Sequence, residues 1–487
     1  MSPALILITV AAYSALLFFI VWLTSRQSNN DSYFIGNKSS KWYIVAYGMI
    51  GSSLSGVTFM SVPGAVYTTH FSYLQVVLGY LLGYAVIGWV LMPVYYKLNL
   101  TSIYTYLEQR FGNVSYKTGS MFFIISRVIG AAFRMYIVVN VIQTFVLDQY
   151  GVPFWVTVTV FMLLILLYTY EGGVKTIVWT DTLQTTFMLL SLVYSVYIIC
   201  RQLDLSAMAM FEKIFSSEYA GIVVHDIKSG NYFWKNFLGG AAIAIAMTGL
   251  DQEMMQKNLS CKNIGEAKKN MFTFSMILVA VNFLFLILGA VLIFYAQQKN
   301  ITIDAKHTDD LFPTVALQYL GTIPALIFII GLISAAYPSA DGALTALTTA
   351  YCFDFLGIQK NNKLSENQRK RIRYTVHISM AVVLLLTIVV FRLINNDAVI
   401  RNVFRAASYT YGPLLGLYAF GFFTRWQIRD TYVWVVCAAS PVICYFLYDW
   451  VPQVFDGYKF GFELLIVNGL ITFLGLTLLI KPAKHVQ

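Results

Sequence analysis

Charged side chains lying inside long apolar runs are the residues of this sequence best placed to do chemistry. Arg127, Arg134, Arg392, Arg401 and Arg405 fall in such runs, as do Asp181, Asp251 with its neighbour Glu253, and Asp341. A charge in hydrocarbon is costly unless it meets a partner or a water-filled cavity, so each is a functional candidate. Arg127 and Arg134 stand seven residues apart, two turns along one helical face, and make a basic stripe. The fixed donor fork of arginine matches a carboxylate, so this stripe points to recognition of an acid. The structural alternative for each arginine is a salt bridge to Asp181 or Asp341, or hydrogen bonds to freed carbonyls. Arg392 and Arg401 lie near span ends, where snorkelling accounts for them. The five histidines and five cysteines fall into no metal-ligand or triad spacing, so no enzymatic activity is expected.

The elements that carry these residues are membrane spans. Of 487 residues, 58% are hydrophobic and only 11% charged, against about 25% charged in soluble domains. A soluble enzyme, a nucleic-acid binder and a disulfide scaffold are all excluded on that count. Hydropathy places thirteen spans near 4–23, 43–68, 72–97, 120–147, 152–170, 176–201, 232–255, 271–296, 315–353, 374–394, 398–422, 430–450 and 460–480. The first has no basic n-region and is read as a retained helix. The 315–353 run is too long for one straight span and is expected to continue as helix beyond the bilayer.

With the N-terminus outside, alternate loops on the inner side carry 21 of the 33 Lys and Arg residues and the outer loops carry 7. That asymmetry satisfies the positive-inside rule and predicts an N-out, C-in chain. The inner count includes Arg26, Lys38, Lys175 and the basic loop from Lys257 to Lys269. Orientation therefore accounts for most of the net charge of +10, leaving five arginines inside spans.

Two spans are rich in small and hydroxyl residues. The second contains Gly51-Ser52-Ser53-Leu54-Ser55-Gly56-Val57-Thr58, then Ser61, Pro63 and Gly64, and the seventh contains Gly239-Gly240-Ala241-Ala242 and Met247-Thr248-Gly249. Broken helices survive at membrane depth only where they line a cavity, and transporters place ions and solute there. Close helix packing through small residues is the alternative. Spans two to six and seven to eleven each open with such a helix, which predicts two five-helix repeats.

The segment from Asp31-Ser32-Tyr33-Phe34-Ile35-Gly36 to Gly56 resembles the entry to the core of the sodium/solute symporter family. Gly249-Leu250-Asp251-Gln252, then Gln256 and Ala267, is similar to that family's signature, and Trp179-Thr180-Asp181 and Tyr411-Gly412-Pro413 also match. The resemblance covers essentially the whole chain. It implies an all-α fold of the leucine-transporter type with inverted repeats, in which residues 1–42 are an extra N-terminal helix and loop. Residues 43–201 are then the first repeat, 202–422 the second, and 423–487 two accessory helices and a tail. It also implies sodium as the co-transported ion, taken by carbonyls of Gly51, Leu54 and Ala336 and the hydroxyl of Ser339.

The family usually carries a second hydroxyl where Ala340 stands here, so one ligand is missing. Pro338 frees the Ser334 carbonyl and predicts a kink beside the site. Some relatives hold a second sodium with the sixth-span Asp and hydroxyls where this chain has Gly342 and Ala343, so one sodium per cycle is expected. Asp181 then reads as an ion-release or gating carboxylate. Asp341 has no family counterpart and reads as an added ion or proton site, or a partner for a basic group.

Solute is expected at the midplane against Ser55, Thr58, Gln75, Arg134, Arg127 and Arg405. Of the span-four pair, Arg134 is favoured as the deeper. Positions that bind sugar in galactose-type relatives are Val77, Ala244 and Thr248, which argues against a plain hexose. Ser55, Thr58, Gln75 and a span-four Arg look like the sialic-acid branch. The expected function is sodium-coupled import of an acidic sugar. Another sugar, polyol, amino acid or vitamin is the alternative within the class. A membrane sensor module is the alternative outside it, disfavoured because only seven residues follow the last span. The expected location is a bacterial plasma membrane, with sodium, a small solute and lipid as partners and no nucleic acid.

Overall fold

A computed structural model describes residues 3–25, 40–100, 102–359, 361, 363–394 and 399–481, without the side chains of 24–25, 170–175 and 399–401. The Asp31–Gly36 motif, Arg26, Lys38, and the side chains of Lys175 and Arg401 lie outside the described residues. Regular structure among the described residues is helical, with isolated bridges at Ser40–Cys261 and Ile428–Ile480. The chain opens with α1 (Pro3–Ser25). A broken pair follows, α2 (Trp42–Ser53) and α3 (Gly56–Thr69), then α4 (Tyr73–Val86), which a π turn carries into Met92–Lys97. Next come α5 (Thr105–Arg110), α6 (Asn113–Ile142), α7 (Phe154–Gln202) and the short α8 (Ala207–Phe215).

A second broken pair is α9 (Phe233–Ala244), extended by the π turn Ile245–Gly249, and α10 (Gln252–Leu259). The remaining helices are α11 (Ile264–Gln298), α12 (Leu311–Thr314), α13 (Thr322–Ala350), α14 (Glu366–Ile394), α15 (Val399–Phe423), α16 (Val433–Val454) and α17 (Leu464–Thr477). Eight helical stretches among the described residues are long and apolar enough to cross a membrane, while Phe154–Thr169 and Leu464–Thr477 are apolar but shorter.

α13 is the buried axis of the bundle, packed by α7, α6, α14, α1 and α2. It also resolves the path of α7, which at 49 residues would be about 74 Å long if straight. In its first half Phe161 meets Tyr337 and Tyr168 meets Asp341, so both helices advance together. In its second half Ser191 lies against Gly331 and Gln202 reaches Leu320, so the chain runs the other way. The two halves are thus opposed, as separate spans at 152–170 and 176–201 require.

Both predicted breaks form. At the first, Leu54 (φ −85°, ψ 93°) and Ser55 (φ −89°, ψ 178°) are extended. Leu54 N–H reaches back to the Ile50 carbonyl at 2.7 Å, and the last carbonyls of α2 have lost the helical donors that would follow. At the second, Asp251 is extended and its Oδ1 accepts from the amides of Glu253 (3.0 Å) and Met254 (3.2 Å), starting α10 afresh.

One expectation is corrected. The 315–353 run is not a single long helix, because Gly321 adopts φ +92°, a left-handed corner that glycine takes without strain. The chain before it forms α12, which packs on α3, and then a π turn at Val315–Tyr319 against α13, and α13 starts only at Thr322.

Candidate functional site

The two breaks face one cavity among the described residues. Ser55 and Thr58 of the first break, Tyr73 and Tyr80 of α4, and Arg127 and Arg134 of α6 line it, with Thr248 and Asn282 opposite. Four of the six expected solute residues are therefore brought together.

The two arginines differ in what surrounds them. Arg127 forms an ion pair with Glu253 Oε2 and lies 3.7 Å from Asp251 Oδ2. The other contacts of Asp251 fix it in place, since Oδ2 also accepts from the Tyr411 hydroxyl at 2.8 Å. Arg134 pairs with no acid among the described residues, and its buried Nη1 has no hydrogen-bond partner. A guanidinium held at a cavity wall with donors to spare is ready for an anionic ligand.

Behind Arg127 the charges continue. Lys257 Nζ lies 2.7 Å from Asp181 Oδ2, 3.1 Å from Glu253 Oε1 and 2.5 Å from Ser52 Oγ, and Ser52 donates in turn to Asp181 at 2.9 Å. The chain Arg127–Glu253–Lys257–Asp181 is closed off from solvent, with each side chain at most 3% exposed. This corrects the reading of Lys257 as a basic loop residue. α10 is short and fully buried, and the i, i+4 spacing puts Lys257 over Glu253. Hydropathy kept Glu253 at the end of a span but gave Lys257 to the loop, because the local sequence is polar. The signal that was available is an acid and a base four apart just after a helix break.

The expected sodium ligands lie on α2 and α13, which pack against each other. Gly51 and Leu54 stand at the first break, and Ala336 and Ser339 flank Pro338. Ser339 Oγ is fully buried and has no partner among the described residues, as an oxygen reserved for a cation would be. Thr185 was not singled out by sequence, yet its buried Oγ1 is also unpartnered and faces Gly51. Asp181 Oδ1 is a third such oxygen on this side of the cavity.

Three expected residues are placed elsewhere. Gln75 is buried outside the cavity lining, its amide donating to the carbonyls of Ser72 (3.0 Å) and Asn231 (3.2 Å) while its oxygen accepts from Val224 N–H. Arg405 projects outward over the Tyr448 ring and donates to its hydroxyl at 3.1 Å. Asp341 is buried at α13, where Tyr168 donates to Oδ2 at 2.9 Å and the Gly342 amide to Oδ1 at 2.5 Å. It forms no ion pair among the described residues, so the expected basic partner is not found there.

Residues 33–427 match the family model described as Sodium:solute symporter family. The sodium/sialic acid symporter NanT of Aliivibrio fischeri is 24% identical over 421 residues, covering 83% of this chain and 80% of NanT. The sodium/sialic acid symporter SiaT of Proteus mirabilis is 23% identical, covering 85% and 83% of the two chains. The fold is that of a solved Na+-coupled sialic acid symporter in a substrate-bound outward-open state, with a TM-score of 0.82, 20% identity and 98% of each chain covered. With its two broken helices around one polar cavity, and a family match across most of its length, the chain belongs to the sodium:solute symporter family.

Proposed function

We propose that this symporter carries an acidic sugar of the sialic-acid type together with sodium. The observation that carries this reading is Arg134, an arginine with no acid partner among the described residues, on the wall of a cavity that also presents Ser55, Thr58, Tyr73 and Tyr80. The guanidinium takes the solute carboxylate in a bidentate pair, and the hydroxyls take the polyol face. The similarity to NanT and SiaT supports the same solute class.

Sodium binds between the carbonyls of Gly51, Leu54 and Ala336 and the hydroxyl of Ser339, with Thr185 near enough to Gly51 to add an oxygen. It holds α2 against α13 while the cavity faces outward and leaves inward when the two separate, which is alternating access. Asp181 and Asp341 lie along that exit as release or gating carboxylates.

Thirteen spans, with N-terminus out and C-terminus in, remain our reading of the topology. The opposed halves of α7 support the count, and the basic inner loops support the orientation. We divide the chain into 1–42, 43–201, 202–422 and 423–487 as the lead helix, two inverted repeats and the accessory pair. The location is a bacterial plasma membrane. Uptake of labelled sialic acid, neutral hexoses, polyols, amino acids and vitamins into proteoliposomes, with and without a sodium gradient, tests the reading. Sodium-driven accumulation of sialic acid above the neutral sugars is expected. Accumulation of a neutral sugar alone would overturn the assignment.

A further inference from the structure

The ammonium of Lys257 has three N–H donors, and three buried acceptors meet them: Asp181 Oδ2, Glu253 Oε1 and Ser52 Oγ. Its geometry is saturated without water. The same three oxygens surround one point from three different helices, α7, α10 and α2, which is what a bound cation requires. We propose that Lys257 is a resident, tethered cation that occupies an ion site at Asp181, and that this fixes transport at one sodium ion per solute.

Two further features support it. Glu253 lies directly against Gly342: a Cβ at that position would collide with its carboxylate, which would have to shift. The residue that removes a possible hydroxyl ligand from α13 therefore also admits the carboxylate that draws Lys257 in. The second feature is charge. Asp181 is 0% exposed, and a buried carboxylate needs a cation beside it. With the ammonium already 2.7 Å away, a second sodium at the same oxygens would meet a like charge instead of an open site. Glu253 also pairs with Arg127 on the cavity wall, so the tethered cation is joined to the solute site by one chain of charges.

The test counts sodium, and so does not depend on which solute is carried. Equilibrium binding of radioactive sodium to the purified full-length protein in detergent is compared for wild type, Lys257→Arg and Lys257→Met. One ion is expected to bind wild type and Lys257→Arg, and two to bind Lys257→Met, the second occupying the oxygens that the ammonium has left. Two ions on wild type, or one ion of unchanged affinity on Lys257→Met, would overturn the proposal. If Lys257→Met is unstable, its thermal denaturation is followed against sodium and choline chloride. Recovery of stability by sodium and not by choline supports a vacated cation site; an instability indifferent to sodium refutes it.

Discussion

Arg127 and Arg134 share one face of α6, two turns apart, and among the described residues only Arg127 is held by acids. Glu253 and Asp251 both reach it, whereas the guanidinium of Arg134 opens onto the cavity with Nη1 unpartnered. The asymmetry assigns them different work. Arg127 binds the second broken helix to α6, and Arg134 is left for solute.

That difference is measurable. Arg134→Ala removes hydrogen bonds to a charged group worth about 1.5–3 kcal/mol, so the half-saturation for an acidic sugar should rise about 10- to 100-fold with the melting temperature little changed. Arg127→Ala leaves Asp251 buried without its cation and leaves Glu253 with Lys257 alone. Breaking such a pair costs about 3–5 kcal/mol, so this variant should lose thermal stability before any change in solute affinity can be read. Equal effects of the two substitutions on stability would contradict the division of labour.

Ser339 tests the ion site. Its Oγ is buried and bonded to nothing among the described residues, so Ser339→Ala removes no protein hydrogen bond. Folding should be retained. The sodium concentration for half-maximal uptake should rise by about tenfold, the effect of one lost interaction of about 1.4 kcal/mol. A sodium titration of uptake that is unaltered in Ser339→Ala would remove this residue from the ion site.

Gln75 is expected to behave as a structural residue. All of its polar atoms are engaged with the backbone at Ser72, Val224 and Asn231. Gln75→Leu leaves those groups unsatisfied and should cost about 1–3 kcal/mol of stability, read as a lower melting temperature. Solute half-saturation should stay near wild type, and a selective loss of solute affinity would return Gln75 to the binding site.

The loop before α12 carries an exposed pair, His307 Nδ1 and Asp304 Oδ2, 2.7 Å apart. The hydrogen bond from His307 holds the Asp304 carboxyl below its ordinary value, and the same bond holds the imidazole above its own. The histidine's contribution is present below the ordinary histidine value of about 6.5 and is lost as pH rises through its raised value. The aspartate's contribution is present above about 3.9 and is lost as pH falls through its lowered value. The pair thus acts between those two limits. An NMR titration should show His307 above the ordinary histidine range in wild type and back within it in Asp304→Asn.

Composition and spacing alone fixed much of this protein. An apolar chain with few charges had to span a membrane, and glycine and serine at 51–56 had to weaken a helix there, because both effects are local and additive along the sequence. The seven-residue spacing of Arg127 and Arg134 likewise placed them on one face before any fold was known. Only the tertiary structure decided which arginine is neutralised, since Glu253 reaches Arg127 from another helix. It alone showed that Lys257 is buried, because a polar eight-residue helix between two breaks looks like a loop until its neighbours enclose it. It moved Gln75 and Arg405 out of the cavity for the same reason: where a side chain finds its partners depends on contacts between segments far apart in the chain, and those distances are set by packing.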